Sequence, residues 1–209
     1  MRKESLECLE ELVESNKKVC IVGSDLGSDT FVNSRSLFPQ RVLMEGIAEQ
    51  HLIGFAAGLA ANGFYPIVHT IATFLTRRCY EQIAIDLSQQ ELPALLLGAG
   101  GGMVYAPLGP THQAIDDFAL MSNIPGMKIF APADPHEAVS IIRRCTEEMW
   151  LAYVRLGRGG EENVTNSLED LNGYFVKSDG AKGNFTLVCT GTLLHEAIQA
   201  KNLLNDRGY

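Results

Sequence analysis

The chain has 209 residues, with 17 Lys and Arg against 25 Asp and Glu, a net charge of -8 and 46% apolar residues. This is the size of one full domain with part of another, and the composition of an ordinary soluble globular protein. The acidic balance and the scatter of the short basic clusters (Lys17-Lys18, Arg77-Arg78, Arg143-Arg144) exclude a nucleic-acid-binding surface, and no apolar run is long enough to cross a bilayer.

Taken in chain order, the N-terminus MRKESLECLEEL alternates charge with leucine at helical spacing and lacks the apolar core of a signal peptide. Its helix is expected over Ser5–Asn16. Strands are expected at Val19–Gly23, Tyr65–His69, Ala94–Gly98, Lys128–Ala131, Leu151–Arg155 and Phe185–Thr190. Between them, helices are expected at Ala48–Ala61, Leu75–Leu87, Ala114–Ser122, Pro135–Glu148 and Leu193–Asp206. Asp134-Pro135 is a helix start in which Asp caps and Pro takes the first position. This alternation predicts an α/β fold: a mostly parallel sheet with helices on both faces and ligands at the carboxyl ends of the strands.

The composition changes near residues 158–183, a polar, glycine-rich stretch expected to be a linker with a short strand near Gly173–Val176. The organisation expected is a first domain over 1–160, a linker over 161–182, and the start of a truncated second domain over 183–209. A single βα unit there cannot bury both faces of a sheet by itself. The five cysteines (Cys8, Cys20, Cys79, Cys145, Cys189) form no CxxC pair and fit reduced thiols in a cytoplasmic protein.

The first chemical signal is Gly46-Ile47-Ala48-Glu49-Gln50, opening a helix that continues through Gly54, Ala56, Ala57, Gly58, Ala60 and Ala61. By spacing alone Glu49 reads as a first-turn glutamate favoured by the helix dipole. A helix this rich in glycine is poor by propensity, so another helix or a ligand is expected to approach its backbone. GIAEQ followed by GxAAGLAxxG resembles the pyrimidine-binding domain of the transketolase family, including the deoxyxylulose-phosphate synthases. The resemblance covers residues 5–160, with 183–209 as the opening of the third transketolase domain.

The resemblance implies that Glu49 is catalytic. It hydrogen-bonds N1′ of the aminopyrimidine of thiamine diphosphate and favours the imino tautomer, whose nitrogen takes the proton from C2 of the thiazolium. A carboxyl at a dry interface suits that task because burial raises its pKa. It also implies that Ile71, Phe74 and Arg77, at spacing three, line the pyrimidine pocket, with Phe74 stacking on the ring. Ile71 stands where an aromatic is usual, and Arg77 matches the synthase pattern rather than the tyrosine of classical transketolase. Asp25, in Gly23-Ser24-Asp25-Leu26, resembles the turn whose aspartate lies near the cofactor across the dimer interface. By residue type alone that segment is an ordinary turn.

In Gly109-Pro110-Thr111-His112-Gln113 the resemblance makes His112 a catalytic, substrate-contacting histidine. Leu108 and Gly100 stand where classical transketolase has an aspartate and a histidine, so the pocket has lost two polar groups. The glycine run Gly98–Gly102 matches neither GxGxxG nor a P-loop and is not read as a phosphate cradle. The resemblance implies that Arg155 binds a substrate phosphate, for which its planar fork of donors is suited, and Arg158 is read as a second anion contact or an exposed charge.

The resembling family also has a first domain whose GDG-type motif holds a divalent metal against the diphosphate. This sequence has no such motif and no cluster of hard oxygen donors, so no metal site is expected on it. The reading that results is the C-terminal subunit of a split transketolase-like enzyme that transfers a two-carbon ketol unit between sugars or sugar phosphates. An N-terminal subunit would supply the diphosphate site and Mg, and this chain would form a homodimer. The alternatives weighed are a deoxyxylulose-phosphate synthase, a 2-oxo-acid dehydrogenase E1 β subunit, against which GPTHQ speaks, and a non-catalytic interaction protein, against which an intact Glu49 speaks.

Overall fold

A strand covered on both faces needs apolar side chains on both, and the sequence supplies them as short continuous runs. In the computed structural model, which describes residues 1–165 and 186–208, these runs form β1 (Val19–Gly23), β2 (Val42–Met44), β3 (Tyr65–Ile71), β4 (Ala94–Ala99), β5 (Lys128–Phe130) and β6 (Leu151–Leu156). All pairings between them are parallel, in the order β2-β1-β3-β4-β6-β5. Val19 lies opposite Tyr65, Ile67 opposite Leu95, and Leu95 opposite Ala152.

The helices are α1 (Arg2–Ser15), α2 (Val32–Leu37), α3 (Glu49–Ala61), α4 (Ala72–Thr76), α5 (Tyr80–Gln82), α6 (Asp117–Ser122), α7 (Pro135–Glu148) and α8 (Leu194–Asp206). α1 and α7 cover one face of the sheet, where Leu9, Val13, Ile141 and Ile142 join Ile21, Ile67, Leu97 and Val154. α3, α6 and a π-turn at Ile83–Ser88 cover the other, where Leu52, Ile53, Leu87 and Met121 join Val22, Val68, Leu96 and Tyr153. The expected α/β architecture is therefore the one observed. The chain runs outward from β1 to β2 and then returns to β3, so the order reverses between β1 and β3. Loops leaving the carboxyl ends of such a pair frame a crevice.

Four expectations need correction. Leu75–Leu87 is not one helix: it divides into α4, α5 and the π-turn, with a break over residues 77–79. α2 and β2 were not anticipated; β2 has three residues and owes its strand form to pairing with β1. The helix expected from Ala114 begins at Asp117, because Ala114 is held in an antiparallel bridge to Gly102. Residues 186–190 carry no regular structure, since among the described residues no strand pairs with them, and Phe185 lies outside the described residues. So do most of the expected linker and the strand near Gly173–Val176.

α7 has the expected bounds, and Asp134 caps it by accepting the Glu137 N–H at 2.9 Å. Among the described residues no helix is long and apolar enough to cross a membrane.

Candidate active site

Gly46, in the left-handed region at φ 76°, turns the chain after β2 so that α3 starts at Glu49. The N-cap Ala48 makes no side-chain cap, which leaves the positive end of the helix dipole to the Glu49 carboxylate. Glu49 is 3% exposed. Its Oε2 accepts from Nη1 of Arg78 at 2.8 Å. Gln50 ties down the same loop by donating its side-chain N–H to the Arg78 carbonyl at 3.0 Å.

Phe74, on α4 after the end of β3, is half-buried. The Arg78 guanidinium lies over its ring, 4.1 Å from the centroid. His112 meets the same ring edge-on, with centroids 4.9 Å apart, and its Nδ1 is 2.9 Å from the Thr111 hydroxyl. Glu49, Phe74 and His112, far apart in sequence, are thus linked through one aromatic ring and one guanidinium.

Arg77, expected to line the pocket, turns instead toward the loop that carries His112. Its Nε donates to both carboxylate oxygens of Asp116, at 2.9 and 3.0 Å, and its Nη1 reaches the Pro110 carbonyl at 3.4 Å. Ile71 ends β3 and is partly buried; Asp25, just beyond β1, is exposed.

Arg155, expected at a substrate phosphate, is also committed within the chain. Nε and Nη2 donate to the two oxygens of Asp117 at 2.9 and 2.8 Å, and Nη2 donates to the Ala114 carbonyl at 2.9 Å. The Tyr153 hydroxyl donates to Asp117 at 2.7 Å, so this fully buried carboxylate is well satisfied. Burial pushes the Tyr153 hydroxyl well up, and the Asp117 charge adds to it. Arg158 is exposed and forms no ion pair among the described residues.

The glycine run is shaped by the same packing. A Cβ on Gly100 would lie 2.0 Å from the Tyr105 ring, and one on Gly101 would lie 2.2 Å from the Arg155 side chain. The space holds an aromatic and an arginine, and Gly100 has no room for a histidine unless Tyr105 moves.

Three residues here were missed in the sequence. Arg78 follows Phe74 by four positions, the spacing that puts two side chains on one face of a helical turn. Asp116 and Asp117 form an acidic pair two residues beyond GPTHQ and match two arginines elsewhere. Cys79, beside Glu49, is not a thiolate nucleophile: burial and the Glu49 charge push its thiol up to about 12. Among the described residues no group of three or more His, Cys, Asp or Glu is gathered to hold a metal.

Comparison with known proteins matches residues 1–159 to the family described as "Transketolase, pyrimidine binding domain". A 1-deoxy-D-xylulose-5-phosphate synthase of Anaeromyxobacter sp. (strain K) is 34% identical over 203 residues, 95% of this chain but 32% of the synthase, so the chain spans about a third of that relative. One of the subunits of an apulose-4-phosphate transketolase of Phocaeicola vulgatus is 31% identical, over 99% of this chain and 67% of that relative. A solved structure described as "Split gene transketolase, inactive beta4 tetramer" is 30% identical with a TM-score of 0.81, covering 99% of this chain and 68% of that one.

Proposed function

This chain belongs to the family of transketolase pyrimidine-binding domains, and from that premise we propose that it is the C-terminal subunit of a split thiamine-diphosphate enzyme that transfers a two-carbon ketol unit between sugars. The observation that carries this reading is the pairing of a buried carboxylate with a flat aromatic face. Glu49 and Phe74 receive the Arg78 guanidinium, a planar cation that donates N–H to the one and lies over the ring of the other. An aminopyrimidine offers the same plane, and its N1′-protonated or imino form offers the same N–H donor, so the residues present fit that end of the cofactor.

Thiamine diphosphate, when bound, supplies the nucleophilic carbon that breaks and makes the ketol bond. Within this chain Glu49 accepts and returns a proton at its carboxylate, and Phe74 orients the ring. Ile71 gives an aliphatic wall. His112, steadied by Thr111, offers a ring nitrogen to a sugar hydroxyl. Arg77 holds the His112 loop against α4 through Asp116, and Arg155 positions the end of that loop through Asp117. Arg158 is the arginine left to meet a substrate anion. Asp25 serves the cofactor across an interface between two protomers.

The diphosphate and its Mg belong in this reading to an N-terminal partner, and the assembly works in the cytoplasm. The split relatives support that division. So does the bare face of α3, where nothing lies within 4 Å of a Cβ built on Gly58, as expected of a helix that docks a second copy of this chain. The three-part organisation, with a first domain over 1–160 and a further domain opening after 183, belongs to the same proposal. A synthase-like reaction is the second reading, favoured by the 34% identity.

The test is to combine the chain with its diphosphate-binding partner, thiamine diphosphate and Mg, and to assay ketol transfer. Glu49→Ala is expected to lower kcat by about a hundredfold or more. An unchanged rate would remove Glu49 from the chemistry.

A further inference from the structure

We propose that Arg78 is an internal occupant of the pyrimidine slot, keeping it closed until the cofactor displaces the side chain. The proposal rests on reading Glu49 and Phe74 as the pyrimidine grip. The slot offers two contacts, a carboxylate oxygen that accepts an N–H and an aromatic face that takes a flat electron-poor group. Arg78 uses both, at 2.8 Å from Glu49 and 4.1 Å from the Phe74 centroid. Glu49 keeps a second carboxylate oxygen, but one side of the Phe74 ring takes only one flat group, so there the aminopyrimidine and the guanidinium exclude each other.

The arrangement has a physical reason. A buried carboxylate left without a partner destabilises the fold, and among the described residues Arg78 is the cation paired with Glu49. The guanidinium therefore makes the two contacts that the ligand would make. It is also able to leave. Its side chain is 44% exposed, while its backbone is fixed by the Gln50 bond, so side-chain rotation alone opens the slot. Arg77 is held elsewhere, by Asp116 and Pro110, and does not compete for Glu49.

Apparent affinity falls in proportion to the fraction of molecules that are open. With Arg78 closing the slot in about nine molecules of ten, removing it tightens binding about tenfold. The experiment titrates thiamine diphosphate calorimetrically into the full chain with its diphosphate-binding partner and Mg, as wild type, Arg78→Ala, Arg78→Lys and Glu49→Gln. Circular dichroism verifies that each variant folds.

The expected result is tighter binding by Arg78→Ala, an intermediate gain for Arg78→Lys, which keeps the charge but not the plane, and weaker binding by Glu49→Gln. A second arm uses the chain alone with the neutral probe 4-amino-5-hydroxymethyl-2-methylpyrimidine. Added salt should modestly tighten its binding to wild type by screening the ion pair from its exposed Arg78 side, and should leave Arg78→Ala unchanged. If Arg78→Ala binds the same or more weakly while Glu49→Gln is impaired, the occupant role is overturned and the pyrimidine grip stands. If Glu49→Gln binds normally, the grip itself is wrong and the proposal falls with it.

Discussion

Arg77 and Arg78 are neighbours of the same type, yet their guanidinium groups go to opposite partners, one to the Asp116 carboxylate and one to Glu49. The Arg77–Asp116 pair is well exposed on both sides, so its loss should cost less than about 1 kcal/mol of stability. Its effect belongs to function. Arg77→Ala should free the turn that holds His112, raising KM for the sugar several-fold while leaving thiamine diphosphate affinity near wild type; steady-state kinetics and calorimetry separate the two. His69 is a second residue with a measurable signature. It is fully buried on β3, and its ring nitrogens have no hydrogen-bond partner among the described residues. Burial lowers its pKa to about 4; the Arg2 charge adds to this, while the nearby Leu97 backbone opposes it without reaching hydrogen-bond geometry. The unfolded chain takes up this proton near 6.5 and the folded chain does not. The stabilisation is therefore complete above pH 6.5 and lost as pH falls toward 4, by about 3 kcal/mol in all. Urea melts across that range should show the loss, and His69→Leu should flatten it.

At the scale of elements, the outcome depended on how local the signal was. α7 was legible to the residue because capping is local chemistry. Asp134 accepts from the Glu137 N–H, and also from the N–H groups of Val164 and Thr165 and the Thr165 hydroxyl. Burial alone would raise its pKa, but those donors outweigh it and hold the carboxyl below its usual range. Asp134→Ala should lower stability by about 2–3 kcal/mol in thermal melts, since it removes a cap and leaves donors of the 164–165 segment unpaired. β2 was not legible, because Val42–Met44 is too short to stand out and becomes a strand through its register with Ile21–Gly23. The break in Leu75–Leu87 was hidden for a similar reason. The apolar pattern runs through it, while the two arginines that bend away do so for carboxylates far along the chain. The site followed the same rule. Glu49, Phe74 and His112 sit in recognisable motifs, whereas Arg78 acquires its place through contacts between separate loops. The glycines of α3 make a further prediction: Gly58→Leu should stabilise the helix by propensity and still block assembly, which size-exclusion chromatography with light scattering would detect.

The whole molecule is a sheet closed on both faces by its own helices, with a site that opens at the carboxyl edge and an exposed C-terminal segment. α8 has no buried residue within this chain, and Leu108, Ile115 and Met103 lie exposed near the His112 loop. The central claim is that this chain holds one end of the cofactor and needs another subunit for the rest. Calorimetric titration of thiamine diphosphate with Mg tests it most directly, first into the chain alone and then into the chain with its partner. The expected result is weak binding to the chain alone and much tighter binding to the pair. Submicromolar binding by the chain alone would contradict it.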